Sequence, residues 1–246
     1  MVVEEKFYIG YRDIDTNFNI KNSAILNIFE DIAGIHASIV GEGIRRTGTT
    51  WVLTGYKVKI YKRPVFGDRV NVRTWGTGIK GMMASREFEI RSESGELLIA
   101  GLSNWVHLNV KEKKLERASD ELIAAYELEP EKTNFNETKL KKLSEPENYE
   151  YGKDYYIDWN WIDANNHMNN IFYMDLADIA LPDEISKNNE FNYFEIMYKK
   201  EIKYKDNVKC LYTRAGDCYT ITIKSKETDE LHSIINLYKK SIDNDK

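Results

Sequence analysis

Cysteine is scarce in this sequence, with Cys210 and Cys218 the only two. Two thiols cannot form a disulfide scaffold, and so low a number fits a reducing compartment. Proline occurs four times against 16 tyrosines, a balance that favours long, unbroken strands. Positive charge is not in excess. A net charge of −5 argues against nucleic-acid binding by bulk electrostatics, though local basic patches remain open. No apolar stretch approaches the roughly 18 residues of a membrane span. The opening residues MVVEEKFYIGYRDID carry an early acidic pair and lack the apolar core of a signal peptide. The four histidines show no ligand spacing, so neither a metal nor a cofactor is expected. These absences together predict a cytoplasmic protein without a membrane or nucleic-acid partner.

What is present suffices for a core. Hydrophobic residues make up 42% of the chain, and 246 residues suit one large domain or two small ones. Residues 20–40 place Ala24, Ile25, Ile28, Phe29, Ile32, Ala33, Ile35, Ile39 and Val40 at three-and-four spacing, which predicts a helix with a wide apolar stripe. Asn22 or Ser23 is a candidate cap at its start, and Gly41 at its end. Strands are predicted at 51–62, 69–75, 82–92 and 96–110, the last two joined at Ser94-Gly95. The stretch 127–153 is charged and lacks sustained periodicity. It reads as a linker with a short helix near Glu137–Leu143. Beyond it the pattern restarts: a strand at 154–161, a short helix near 170–180 stopped by Pro182, then strands at 193–205, 207–214, 218–226 and 231–240. One helix followed by several strands, twice over, predicts an α+β class and not a doubly wound parallel sheet.

The restart is an internal repeat. Asp15 set against Asp163, an offset of 148, brings Tyr8 to Tyr156, Ile14 to Ile162, Asn17 to Asn165, Asn19 to His167 and Asn22 to Asn170. Asp68 set against Asp206, an offset of 138, brings Arg63 to Glu201. The two copies differ at reactive positions. Asparagine does not titrate and arginine is no base at neutral pH, whereas His167 and Glu201 can exchange protons. One functional site, carried mainly by the second half, is the expectation.

The segments WIDANNHMNNIFYMD (161–175) and YKKEIKYKD (198–206) resemble the signatures of the fatty acyl-acyl carrier protein thioesterases of plants and bacteria. The segments at 51–75 and 103–117 resemble the same family, so the likeness spans nearly the whole chain. The resemblance implies a double hotdog, two tandem domains in which a long helix is wrapped by an antiparallel sheet. It implies a non-catalytic domain at 1–126, a linker at 127–153 and a catalytic domain at 154–246. Its functional residues fall on Asp163, Asn165, His167 and Glu201. Many plant members carry a cysteine after the glutamate; here Ile202 stands there, so no thiol nucleophile is available at that position.

The implied reaction is hydrolysis of a fatty acyl thioester on acyl carrier protein, releasing the free acid. Glu201 is the candidate base acting on water. His167 would orient that water or protonate the leaving thiolate, and Asn165 would hold the water or the carbonyl. Asp163 either fixes its neighbours or attacks directly. Oxyanion donors are expected at Asn169 and Asn170, near the start of the second helix. The acyl chain would meet Ile28, Ile32, His36 and Trp51. Carrier protein is acidic, so Arg45, Arg46, Lys62, Arg63, Lys199, Lys200 and Lys203 form a candidate docking patch.

Each assignment has a plainer alternative. Asp163 and Asn165 are turn formers, as Asp15 and Asn17 are in the other copy. Glu201 and the lysines could be solvated charges, and His36 a packed core imidazole. Cys210 and Cys218 read as inert strand residues. The competing functions are an acyl-CoA thioesterase of the same fold and a non-hydrolytic acyl-binding protein, with a dehydratase less well matched by the motif. Either a monomer or a homodimer fits.

Overall fold

A computed structural model describes residues 1–187 and 191–239. The chain divides into two compact units, Met1–Lys141 and Lys142–Lys246.

The first unit opens with strand β1 (Val3–Tyr8), then helix α1 (Asn22–Ile39) and the short α2 (Ile44–Thr47). Strands β2 (Thr49–Ile60), β3 (Arg69–Lys80), β4 (Met83–Ser92), β5 (Leu97–Asn109) and β6 (Lys114–Leu115) follow, and α3 (Asp120–Ala125) closes the series. The antiparallel sheet runs β1-β3-β4-β5-β2, with β6 beside β5.

Helix α1 forms where the apolar periodicity predicts it, and ten of its residues are buried. It ends at Gly41, whose φ of 79° costs a residue without Cβ little. There Gly41 N–H donates to Ser38 O and Glu42 N–H to Ala37 O, the paired bonds of a Schellman stop. Its start differs from expectation. Lys21 is the N-cap residue, and no side chain caps the first turn. The sequence shows no unbroken apolar run of membrane-span length, yet by helix length and mean hydropathy the helical stretch Asn22–Thr47 is apolar enough to cross a membrane. Its buried face lies against the sheet: a Cβ at Gly101 would come within 2.4 Å of the Phe29 ring, which also stacks on Phe88 with centroids 4.4 Å apart.

The second unit repeats this plan. Its elements are β7 (Tyr151–Tyr156), a 3-10 turn at Trp159–Trp161, α4 (Phe172–Ala180), α5 (Asp183–Ser186), β8 (Tyr193–Tyr198), β9 (Asn207–Ala215), β10 (Cys218–Ser225) and β11 (Leu231–Tyr238). The sheet order β7-β9-β10-β11-β8 matches the first unit strand for strand. Helix α4 is half as long as α1, nine residues against 18, and buries Tyr173, Met174, Leu176, Ala177 and Ala180.

Two expectations are corrected. Residues 127–141 are no free linker but part of the first unit. Trp75 Nε1 donates to Lys132 O at 2.7 Å, Leu140 N–H to Asn104 Oδ1 at 2.8 Å, and Lys57 pairs with Glu137. Residues 142–150 join the second unit, where Glu145 receives Lys224 at 2.7 Å and Glu150 N–H bonds Tyr212 O at 2.9 Å. No helix forms at 137–143, because these backbone groups bond the sheet instead. Strand β8 also ends at Tyr198, so Glu201 lies in a loop and not within a strand.

Candidate active site

The loop between β7 and α4 is built around one carboxylate. Asp163 Oδ1 accepts from Asn165 N–H at 2.7 Å and His167 N–H at 3.3 Å, while Oδ2 accepts from the Asn165 amide at 3.2 Å. Asp163 N–H closes the turn onto His167 O at 2.8 Å, and Asn166 takes the left-handed conformation at φ 63°. Asparagine is among the few side chains that tolerate that region. Trp161 stacks between Tyr155 and Phe172, at 5.2 and 5.0 Å, and ties the loop entrance to the helix start.

The first unit reproduces the backbone bonds of this loop. Asp15 Oδ1 accepts from Asn17 N–H at 2.8 Å and Asn19 N–H at 3.1 Å, Asp15 N–H meets Asn19 O at 2.8 Å, and Phe18 sits at φ 64°. Both offsets of the sequence repeat hold in the backbone. Met168 N–H donates to Ile202 O at 2.7 Å, as Ile20 N–H does to Pro64 O at 2.9 Å. Lys203 N–H donates to Asp206 Oδ2 at 2.8 Å, as Val65 N–H does to Asp68 Oδ2 at 2.9 Å.

The backbone bond from Met168 to Ile202 places His167 and Glu201 one residue from each of its ends. His167 is half-buried. Glu201 keeps 45% of its side-chain surface exposed, 3.9 Å from Lys203 Nζ. In the first unit the same frame carries Asn19 and Arg63. The Arg63 guanidinium turns inward, donating to Ile20 O at 2.7 Å and to Asn22 Oδ1 at 2.8 Å. It thereby ties the first unit's loop to the start of α1.

At the start of α4 the expected oxyanion donors separate. Asn169 N–H is taken by Trp161 O at 2.9 Å, and its side chain accepts from Ile171 N–H at 3.1 Å. Phe172 N–H and Tyr173 N–H bond Asn169 O and Asn170 O. Among the described residues, only Asn170 in this run leaves its N–H without a partner.

The other expected residues fall on several elements. Ile28, Ile32 and His36 are buried on α1, and Trp51 is half-buried on β2. His36 is a packed imidazole: its Nδ1 accepts from Arg86 Nη1 at 3.0 Å, its ring stands edge-on to Tyr126 at 4.9 Å, and burial with Arg86 beside it pushes its pKa down to about 3. Of the candidate patch, Arg45 and Arg46 are exposed on α2 and Lys199 is exposed after β8. Lys200 pairs with Glu230, Lys62 lies 3.8 Å from Glu96, and Arg63 is half-buried with its guanidinium bonded to Ile20 O and Asn22 Oδ1. Among the described residues, no group of three or more His, Cys, Asp or Glu is placed to hold a metal ion.

Sequence reasoning missed the residues beneath the loop. Tyr173 is buried, and its hydroxyl donates to Lys200 O at 3.2 Å. Tyr198 OH donates to Asn170 O at 3.2 Å, and His232 Nδ1 lies 3.3 Å from Lys200 O. The signal that could have exposed them was the repeat itself, had it been extended beyond the titratable pair.

The family model described as acyl-ACP thioesterase N-terminal domain matches residues 1–126, and the acyl-ACP thioesterase C-terminal domain matches residues 144–243. The chain belongs to the acyl-ACP thioesterase family. Within that family it is 27% identical over 236 residues to oleoyl-acyl carrier protein thioesterase 1, chloroplastic, of Arabidopsis thaliana, covering 87% of this chain and 64% of that protein. It is 26% identical over 236 residues to dodecanoyl-[acyl-carrier-protein] hydrolase, chloroplastic, of Cinnamomum camphora, covering 88% and 60%. The chain thus spans under two thirds of the length of these relatives. In fold it is similar to an acyl-ACP thioesterase from Bacteroides thetaiotaomicron, with a TM-score of 0.84 at 19% identity over 96% of this chain and 97% of that one. The 12:0-ACP thioesterase from Umbellularia californica gives 0.82 at 21%, over 96% and 93%. Each unit is therefore a hotdog, as the sequence resemblance implied.

Proposed function

We propose that this family member hydrolyses the thioester of fatty acyl-acyl carrier protein, with the working site in its second unit. One observation carries the reading. Two units share the backbone bonds of a loop, yet only one presents an imidazole and a carboxylate there, while the other turns Arg63 inward at the matching position.

In the proposed reaction Glu201 takes a proton from water as the water oxygen bonds the acyl carbon. The Asn170 N–H, at the positive end of α4, stabilises the oxyanion that forms. As that oxyanion collapses the carbon–sulfur bond breaks, and His167 delivers a proton to the departing pantetheine thiolate. Asn165 holds the water or the carbonyl through its amide. Asp163 is a positioning residue: its carboxylate already accepts three bonds from the loop, as Asp15 does for two of them in the unit without the pair. That occupation disfavours direct attack.

Acidic carrier protein is the proposed partner, met by Lys199 and Lys203 beside Glu201. Both cysteines are free thiols, which supports a reducing compartment such as the cytoplasm. The test is turnover on acyl carrier protein loaded with chains of graded length, beside matched acyl-CoA. Faster release from carrier protein is expected. Equal or faster release from CoA would reassign the substrate, and tight acyl binding without turnover would make the protein a binder.

A further inference from the structure

Glu201 is exposed and sits outside any strand, so its own side chain does little to fix it. The backbone is held before and after it. On the far side, Ile202 O receives Met168 N–H at 2.7 Å. On the near side, Lys200 O receives the Tyr173 hydroxyl at 3.2 Å and faces His232 Nδ1 at 3.3 Å. A carbonyl only accepts, so Nδ1 is the protonated nitrogen of that imidazole. Both side chains are nearly inaccessible, at 2% for Tyr173 and 4% for His232.

The first unit is an internal control. Tyr61 and Lys62 N–H donate to Leu98 O at 2.9 and 3.2 Å, as Lys199 and Lys200 N–H donate to His232 O at 2.8 and 3.3 Å. The backbone frame is thus the same, but Leu98 stands for His232. At the 148 offset, Ile25 stands for Tyr173. Both replacements are buried and apolar. A hotdog therefore folds at these two positions without a hydroxyl or an imidazole. Polar groups occur there only in the unit that carries the titratable pair. Burying them uselessly would be unfavourable, since each buried polar group needs a partner to offset its lost water.

We propose that Tyr173 and His232 are positioning residues for Glu201, acting through the Lys200 carbonyl of the peptide group that precedes it. The inference rests on the reading of Glu201 as the base. It predicts that loss of either polar group misplaces the carboxylate without weakening substrate binding.

The experiment is a double-mutant cycle on the full chain, following acyl-carrier-protein hydrolysis in Glu201→Ala, Tyr173→Phe, His232→Leu and their pairwise combinations. Tyr173→Phe keeps the ring and removes one oxygen. His232→Leu installs the residue of the sister unit. Each single clamp variant should lower kcat by about tenfold or more, with KM within about twofold and the thermal midpoint near that of the parent. In the Glu201→Ala background the same changes should have almost no further effect, because groups acting through one residue are not additive. Clamp variants with parental kcat beside an inactive Glu201→Ala would overturn the inference and leave the base assignment standing. So would a drop that persists undiminished in the Glu201→Ala background, which would give Tyr173 and His232 a role apart from Glu201. A Glu201→Ala protein with parental turnover would overturn the base assignment and this inference with it.

Discussion

At the scale of single residues, the weight falls on two protonatable groups one peptide away from a shared hydrogen bond. His167→Ala and Glu201→Ala are each expected to lower kcat/KM by about 100-fold or more, the range of acid–base catalysis, as read by steady-state hydrolysis. Asn19→Ala, which alters the matching loop of the first unit, should leave it unchanged. Ile202→Ala separates chemistry from packing. Ile202 is fully buried, so truncation should cost about 2–5 kcal/mol in denaturant unfolding. Its bonded group is the carbonyl, which alanine keeps, so turnover per folded molecule should persist. Loss of turnover in folded Ile202→Ala would mean that the side chain itself faces the reacting atoms. His167 and Glu201 were legible in the sequence because the repeat contrasted them with Asn19 and Arg63. Tyr173 and His232 were not, because a tyrosine on a helix and a histidine in a strand look like ordinary core residues. The hydrogen bonds to Lys200 O, set beside the apolar Ile25 and Leu98 of the sister unit, distinguish them.

At the scale of elements, apolar periodicity located α1 and α4 well. The wide stripe on α1 matched a helix covered on most sides, and Gly41 marked its stop. Less was legible where backbone groups, not side chains, decide the structure. The region 127–153 looked like a linker because its composition is polar, but its bonds to Gly76, Asn104 and Tyr212 are made through peptide groups. The end of β8 was overestimated for a related reason. Residues 199–205 keep an alternating pattern, yet Lys205 adopts φ 72°, which breaks extension in order to repeat the turn at Gly67. The tightest helix–sheet contact is that of Phe29 on Gly101. Gly101→Ala would drive a methyl into the ring, whose stacking on Phe88 limits its retreat. A loss of about 1–3 kcal/mol is expected by chemical denaturation. Phe29→Leu, made in the same background, should restore part of it.

At the scale of the whole molecule, stability should depend on pH through two buried groups with opposite signs. Burial pushes the Glu87 carboxyl from 4.5 up to about 8, with Glu89 adding to it and Asn134 opposing it. The native chain therefore holds that proton more tightly than the unfolded one. Stability from Glu87 is complete below about pH 4.5 and is lost as pH rises through about 8. His36 acts in reverse: its stability is present above about pH 6.5 and is lost as pH falls toward about 3. Glu87→Gln should raise the thermal midpoint at pH 8.5 relative to the parent and leave it nearly unchanged at pH 4. A parallel pH dependence in both proteins would show that Glu87 carries no proton in the native state.

The inward turn of Arg63 bears on the proposed single site, because it makes a second one hard to build in the first unit. Replacing Asn19 with histidine and Arg63 with glutamate would restore the titratable pair but would strip Ile20 O and Asn22 Oδ1 of their donors. Ile25 and Leu98 would still offer the new carboxylate nothing to steady it. On the proposed reading, four coordinated substitutions separate that hotdog from a second working centre, and the first two alone would weaken the scaffold before yielding any chemistry. On that reading the barrier leaves the first half free to change its interior without risk of a stray reaction.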